Sequence, residues 1–222
     1  MEVLEFTQTK LGNDIELIGE VGEENILIVG VVHGDEPQGK YLIEKYLADF
    51  PLSLTEGDMW GKLFIPCLNP DGMALNRRTN SNNVDINRNF PTKNWGKNEG
   101  DNATCDDETT NYFGGKSAGS EVETQFLIQI IEKYKPTLIM TLHAPYKVVN
   151  YDGPAGEIAE KISKIINYPV EASIGYPTPG SFGTWAGVER NIPTITLELD
   201  EEIPVQQLVK PVFEIFDMLF FN

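Results

Sequence analysis

The sequence alternates between two kinds of apolar pattern, and this alternation constrains the fold more than any other feature. Four short apolar runs, NILIVGVV, KLFIPCL, TLIMTL and TITLEL, are typical of buried strands. Other segments repeat apolar residues at helical spacing, among them Phe126, Ile130, Ile131 and Tyr134. Strands that alternate with helices predict an α/β fold, a three-layer sandwich with a mixed but mostly parallel central sheet.

The length and composition favour one folded unit. The chain has 222 residues, of which 41% are hydrophobic and 23% charged, as in ordinary globular proteins. We find no repeat and no linker, so we expect a single domain over residues 1–222. The N-terminus MEVLEFTQTKLGNDIE has neither the basic nor the apolar region of a signal peptide, which predicts a cytoplasmic protein.

The charge narrows the range of partners. The formal net charge is −17, from 17 basic and 34 acidic residues. An acidic surface repels phosphate groups, so we expect neither nucleic acid nor a membrane as partner. The longest apolar stretch is also far shorter than the roughly 20 residues that span a bilayer. A homodimer is one expected assembly, although the sequence does not fix the oligomeric state.

The two histidines of the chain occupy matching positions. His33 follows one buried strand, with Glu36 three residues later, and His143 ends another buried strand. In α/β proteins the carboxyl ends of parallel strands form the ligand-binding edge of the sheet. Two histidines and a glutamate at that edge would leave a fourth position open, as in catalytic zinc sites. The alternative is that both histidines simply end strands and Glu36 caps the next helix.

A third strand end carries a further carboxylate. In PTITLELD, Glu198 alternates with apolar residues and so shares a face with threonines. A carboxylate beside a metal-activated water can act as a general base when the water attacks a carbonyl. The simpler interpretation is a solvated glutamate at the sheet edge.

Arginines cluster in one segment of this acidic chain. Arg77, Arg78 and Arg88 lie among asparagines within residues 69–92, after the turn-like sequence NPDG. Guanidinium groups suit the binding of carboxylates and the stabilisation of an oxyanion. A basic surface loop would have the same composition.

Several motifs occur in the order seen in one enzyme family. HGDE, RRTN, VDINRNFP, GSEVETQ, HAP, GYPTPGSFGTW and ITLEL extend from about residue 30 to residue 199. In order and context they resemble the zinc carboxypeptidase family, and most closely its cytoplasmic bacterial branch. HGDE alone is weak, but VDINRNFP combined with GYPTPGSFGTW is specific.

The resemblance implies roles for individual residues. His33, Glu36 and His143 would hold one zinc ion per chain, and Asp85 would orient His33. Glu198 would be the general base, and Arg78 would polarise the scissile carbonyl. The substrate would be bound by Asn87, Arg88, Tyr176, Ser181 and Phe182. Asn83 stands where the family often has glycine, and asparagine tolerates the left-handed conformation that such a position can require.

The resemblance also implies the reaction. The substrate would be a small peptide with a free C-terminal carboxylate, and for the bacterial branch this is murein tripeptide, cut at the γ-D-glutamyl–meso-diaminopimelate bond during cell-wall recycling. A carboxypeptidase acting on other short peptides would use the same chemistry.

Other functions fit less well. Deacylases of the succinylglutamate desuccinylase and aspartoacylase type share the His-x-x-Glu start but carry a β-rich domain after the catalytic glutamate, where this chain has one helical segment. A metal-binding module without activity would be expected to lack Glu198 or Arg78. A serine hydrolase is disfavoured because TPGSFG has Pro179 where the nucleophile turn needs glycine. Residues 92–120 show no period and are either a lid or a disordered loop.

Overall fold

Eight strands form one mixed sheet in the computed structural model, which describes residues 2–50, 60–96, 111–172 and 178–221. The strands are β1 (Val3–Gln8), β2 (Asp14–Glu20), β3 (Glu24–Gly30), β4 (Trp60–Ile65), β5 (Leu138–His143), β6 (Val148–Asp152), β7 (Val170–Glu171) and β8 (Thr194–Glu198). The helices are α1 (Gln38–Asp49), α2 (Pro70–Ala74), α3 (Val122–Tyr134), α4 (Gly156–Ile166) and α5 (Val209–Phe221). Short helical turns cover Ile86–Arg88, Thr184–Val188 and Val205–Gln207.

The four strands predicted from apolar runs form the centre of the sheet. The strand order is β1-β2-β4-β3-β5-β8-β6-β7, and β4, β3, β5 and β8 are parallel to one another. Strands β1, β2 and β6 add antiparallel pairings on the two sides. The predicted fold class, a three-layer α/β sandwich with a mostly parallel mixed sheet, is therefore confirmed.

Helices cover both faces of the sheet because each has one apolar side. On one face α1, α4 and α5 pack on alternate strand residues such as Ile28, Met140 and Leu197. On the other face α3 and the turn Thr184–Val188 pack on the intervening residues, among them Val29 and Ile139. This two-sided burial is why the central strands are continuous apolar runs rather than alternating patterns.

The central strands end where backbone conformation interrupts the ladder. Val31 adopts a φ of 51°, which ends β3 at Gly30 and places His33 three residues beyond the strand. β4 ends before Pro66, which has no N–H to donate. β5 and β8 are in register so that His143 lies beside Glu198, the last residues of their strands. The carboxyl ends of these four parallel strands thus lie at one edge of the sheet.

None of the helices within the described ranges is long and apolar enough to span a membrane.

Candidate metal centre and its cavity

Three side chains converge at the carboxyl edge of the sheet. His33 Nδ1 lies 2.8 Å from Glu36 Oε1 and 3.2 Å from His143 Nδ1, and His143 Nδ1 lies 2.9 Å from Glu36 Oε2. All three residues are buried. Ligand atoms about 2.0–2.1 Å from a tetrahedral zinc ion lie about 3.3 Å from one another. The three predicted metal ligands are therefore brought together at a spacing that suits such an ion.

The glycine that follows His33 fixes the position of that histidine. Gly34, the next residue, lies so close to the NPDG turn that a Cβ there would be 2.0 Å from the carbonyl carbon of Gly72. Its N–H donates to the carbonyl of Arg78 over 3.3 Å. Only glycine allows this approach, which ties the segment after β3 to the loop that carries the arginines.

Asp85 supports His33 from outside the metal centre. His33 Nε2 lies 3.2 Å from Asp85 Oδ1, and Arg78 Nε donates to Asp85 Oδ2 over 2.9 Å. Asp85 Oδ1 also accepts the N–H of Asn87 over 2.9 Å, and the carboxylate is fully buried. Because a carboxylate only accepts hydrogen bonds, Asp85 favours a proton on His33 Nε2, and Nδ1, which faces His143 and Glu36, is the ring nitrogen that would bind a metal.

The directions of the pKa shifts indicate that positive charge is favoured between these side chains. Burial opposes the charge of Glu36, but His33 and His143 outweigh it and hold the pKa of Glu36 far below its usual range. Burial and Arg78 act against the charge of His33, yet Glu36 and Asp85 raise the pKa of its imidazole. The two ring nitrogens, 3.2 Å apart, and the neighbouring carboxylate all offer lone pairs, so they cannot satisfy one another by hydrogen bonds. A divalent cation would be bound by all three groups through these lone pairs, so the residues fit zinc.

Glu198 lies beside this triad and is not a solvated edge residue. It is buried, and its Oε2 atom has no hydrogen-bond partner among the described residues. Burial raises the pKa of Glu198 above its ordinary value, with Glu36 adding to the effect and the two histidines opposing it. A buried carboxylate that borders the cavity beside the triad and has an unpartnered oxygen has the properties of a general base.

The loop that carries the arginines is folded by its asparagines. Asn80 Oδ1 accepts the N–H groups of Asn82 and Val84, and Asn83 adopts a φ of 61°, the left-handed conformation anticipated for it. Arg77 braces the same loop by donating to the side chain of Asn83 and to the carbonyl of Asn80. The loop is therefore a built structure rather than a solvated basic segment.

Three of the five predicted substrate-binding residues line one cavity of about 150 Å³ that also borders the triad. Arg78, Asn87, Arg88 and Ser181 line it. Arg88 is buried and donates to the carbonyl of Asn87 over 2.8 Å. The Phe182 side chain instead lies in the core, 5.1 Å from Phe90 between ring centroids.

Phe182 contacts the site through its backbone. Its N–H donates to Asn87 Oδ1 over 2.8 Å, which fixes the amide so that Nδ2 is its free donor group. Tyr176 lies outside the described residues, as does much of the 92–120 segment.

Sequence reasoning did not select several residues at or beside this cavity. Tyr146 and Asp152 line it, and the ring of Tyr112 lies 5.3 Å from the guanidinium carbon of Arg78 and 5.6 Å from that of Arg88. Asp152 ends β6, which pairs antiparallel with β8, and no motif marks that pairing in the sequence. The sequence signal that could have identified Asp152 is the alternation along KVVNYD, which puts Asn150 and Asp152 on one face of a strand.

Comparison with known proteins agrees with this geometry. A family model described as zinc carboxypeptidase matches residues 1–159. Murein peptide amidase A of Escherichia coli strain K12 is 34% identical over 178 residues, which cover 79% of this chain and 71% of that protein.

Two solved structures share the fold. The crystal structure of murein-tripeptide amidase from Escherichia coli O157 superposes with a TM-score of 0.77 at 29% identity, over 97% of this chain and 90% of that one. Carboxypeptidase A from Helicoverpa armigera gives a TM-score of 0.75 over 98% of this chain and 67% of its own, and its 16% identity speaks for the fold alone. The family match covers most of the sequence, and the chain therefore belongs to the zinc carboxypeptidase family of metallopeptidases, which makes it a hydrolase.

Proposed function

We propose that this protein is a zinc-dependent amidase that hydrolyses the γ-D-glutamyl–meso-diaminopimelate bond of murein tripeptide, with one zinc ion per chain. The observation that carries the proposal is the register of β5 and β8, which sets Glu198 beside His143 of the convergent triad. The substrate follows from the similarity to murein peptide amidase A. A cytoplasmic location and a homodimeric assembly stay predictions from the sequence.

His33, Glu36 and His143 would hold the zinc ion, and Asp85 would keep His33 in the tautomer that the ion requires. When bound, zinc supplies Lewis-acid chemistry, which polarises the scissile carbonyl and makes water a better nucleophile near neutral pH. The rest of the reaction is assigned to side chains of the cavity.

Arg88 and the amide of Asn87 would bind the free carboxylate of the terminal residue, because a guanidinium presents paired donors to a carboxylate. Arg78 would stabilise the charge that develops on the carbonyl oxygen. Its Nε atom is already held by Asp85, so the guanidinium is oriented before the substrate arrives.

Glu198 would take the proton from the attacking water and pass it to the amine of diaminopimelate as the amide bond breaks. Its raised pKa brings the carboxyl closer to neutral pH than an exposed glutamate, which suits a group that must first accept and then donate a proton.

The test is mass spectrometric detection of free diaminopimelate after incubation of the zinc-loaded protein with L-Ala-γ-D-Glu-meso-diaminopimelate. We expect release that a chelator stops and added zinc restores. The matched control substrate is the same tripeptide with an α-L-glutamyl linkage. Cleavage of the control alone would replace the proposal by a carboxypeptidase acting on ordinary L-peptides, and release that a chelator does not affect would contradict the metal mechanism.

A further inference from the structure

The aromatic ring of Tyr112 contacts both arginines of the cavity and has no part in the proposed reaction. The guanidinium carbon of Arg78 lies over the ring, 5.3 Å from its centroid, and that of Arg88 lies 5.6 Å from the same centroid. Both distances are within the reach of a cation–π contact, about 6 Å. Tyr112 is 39% exposed and, unlike the two arginines, does not line the cavity. The ring therefore contacts the two cations from beside the cavity.

Two hydrogen bonds fix the chain segment that carries this ring. The carbonyl of Phe113 accepts the N–H of Asp85 over 2.8 Å, and the carbonyl of Gly114 accepts a hydrogen bond from Asn89 Nδ2 over 2.7 Å. Asp85 and Asn89 stand on either side of Arg88 in the sequence, and both are fully buried. The ring is thus attached to the same loop that carries the guanidinium groups, so ring and cations share one framework.

Arg88 depends on the ring more than Arg78 does. Arg78 Nε donates to the carboxylate of Asp85 over 2.9 Å, so that cation has an ion-pair partner. Arg88 is buried, and among the described residues its guanidinium forms no ion pair and donates to the carbonyl of Asn87. A buried charge lowers stability unless another group compensates it. The negative face of the Tyr112 ring compensates part of this charge and leaves N–H groups of Arg88 for a carboxylate.

We propose that Tyr112 is a positioning residue that holds the guanidinium groups of Arg78 and Arg88 in a fixed arrangement. The inference rests on the proposed function, which assigns charge stabilisation at the scissile carbonyl to Arg78 and binding of the terminal carboxylate to Arg88. One ring in contact with both cations limits the movement of each relative to the other. It also offsets the repulsion between two like charges that act on one substrate.

The kinetic test compares Tyr112→Leu, which removes the ring, with Tyr112→Phe, which keeps it, on L-Ala-γ-D-Glu-meso-diaminopimelate. We expect Tyr112→Leu to raise KM and to lower kcat, each by about 2–30-fold, because one arginine acts on binding and the other on charge stabilisation. Tyr112→Phe should stay within about twofold of the wild type, because the ring face contacts the cations. The control Tyr41→Leu removes a half-buried ring of α1 and should leave both constants unchanged.

A spectroscopic test measures the arginines directly and needs no substrate. The chain has four arginines, so the Nε–Hε signals of zinc-loaded protein labelled with nitrogen-15 arginine can be assigned one by one. We expect Tyr112→Leu to lower the order parameters of the Arg78 and Arg88 signals, and Tyr112→Phe to preserve them. Arg190, which lies over the ring of Trp185 at 3.8 Å, is the internal control and should be unaffected.

Unchanged order parameters of Arg78 and Arg88 in folded Tyr112→Leu would overturn the inference, whatever the rates. A loss in Tyr112→Phe as large as that in Tyr112→Leu would also overturn it. Failure of the proposed function shows differently, as inactivity of the wild type on the γ-D-glutamyl peptide, and the arginine signals then still decide. If Tyr112→Leu does not fold, Tyr112→Gln supplies the same comparison.

Discussion

The two faces of the central sheet differ most where the strands end. Along β5, Met140 and Leu142 face α1, α4 and α5 and stay apolar to the end of the strand. The intervening residues on the opposite face change from Ile139 to Thr141 to His143. All of these residues are buried, so the difference is one of chemistry and not of exposure.

The apolar face gains stability from every side chain that it buries. It contains an aromatic cluster in which Tyr46 lies 5.1 Å from Phe213 and 5.1 Å from Phe216 between ring centroids. The opposite face, called the polar face below, buries imidazoles and carboxylates at its strand ends. Burial of such groups lowers stability unless they are paired. The comparison indicates that both faces hold the fold together with apolar clusters, whereas the strand ends of only one face carry the candidate site. The predictions below test that division.

The largest effect is expected from removal of a metal ligand. His143→Ala should lose zinc and reduce diaminopimelate release by about 10⁴-fold or more, because Lewis-acid stabilisation of several kcal/mol disappears with the metal. Metal content by mass spectrometry and the rate are measured on the same sample, and chelated wild type is the reference. If the variant keeps its full zinc content and normal turnover, His143 is not a metal ligand.

Glu198→Gln should separate metal binding from catalysis on the polar face. We expect zinc to be retained and kcat to fall by about 10²–10⁴-fold, the usual contribution of a general base. Stability should be unchanged or higher at neutral pH, because burial already raises the pKa of this carboxyl and opposes its charge. Retained turnover would reject the proposed base. Glu160→Gln, at an exposed position of α4, should leave the rate unaffected.

The apolar face should respond in the opposite way. Phe216 is fully buried, and Phe216→Ala should reduce the free energy of unfolding by about 3–5 kcal/mol while the folded molecules keep their zinc and kcat. Denaturant unfolding with parallel rate measurements checks both quantities. Phe6 is 67% exposed, and Phe6→Ala should change stability by no more than about 0.5 kcal/mol. Loss of kcat in folded Phe216→Ala would show that the faces are coupled.

A smaller effect should come from Glu123, a buried acid beneath the arginine loop. Burial raises the pKa of Glu123 to about 7. The hydrogen bond that Asn80 Nδ2 donates to Glu123 Oε2 lowers the pKa but does not outweigh burial. The folded protein therefore keeps the Glu123 proton at pH values where the unfolded chain has lost it. The free energy of unfolding falls as pH rises from about 4.5 to about 7, and that stabilisation is absent above pH 7.

Glu123→Gln should remove this fall and leave the protein about 1–3 kcal/mol more stable than the wild type at pH 8. Thermal or denaturant unfolding between pH 5 and pH 8 measures the effect. Glu132→Gln, on an exposed position of the same helix, should reproduce the wild-type curve. A wild-type curve that rises from pH 5 to pH 8, with no difference for Glu123→Gln, would mean that Glu123 is ionised in the folded protein.

The sequence by itself determined the elements and the identity of the candidate metal-binding side chains. Apolar runs and helical periods are local properties, so the four central strands and helices α1, α3, α4 and α5 could be predicted from short windows. His33 and His143 could be selected because they are the two histidines of the chain and stand at or just after strand ends, and Glu36 because it follows His33 by three residues. Motif resemblance added Arg78, Asn87 and Arg88, which the structure places on one cavity.

Only the tertiary structure decided which side chains share an environment. The pairing of β6 with β8 brings Asp152 to the cavity, and Gly183 and Gly187 leave space for it, although no local pattern links these positions. Phe182 lies in the core with its backbone at the site. The pKa shifts of Glu198 and Glu123 likewise follow from burial by distant segments. Register, close approach and desolvation depend on residues far apart in the chain, whereas sequence patterns report only on near neighbours.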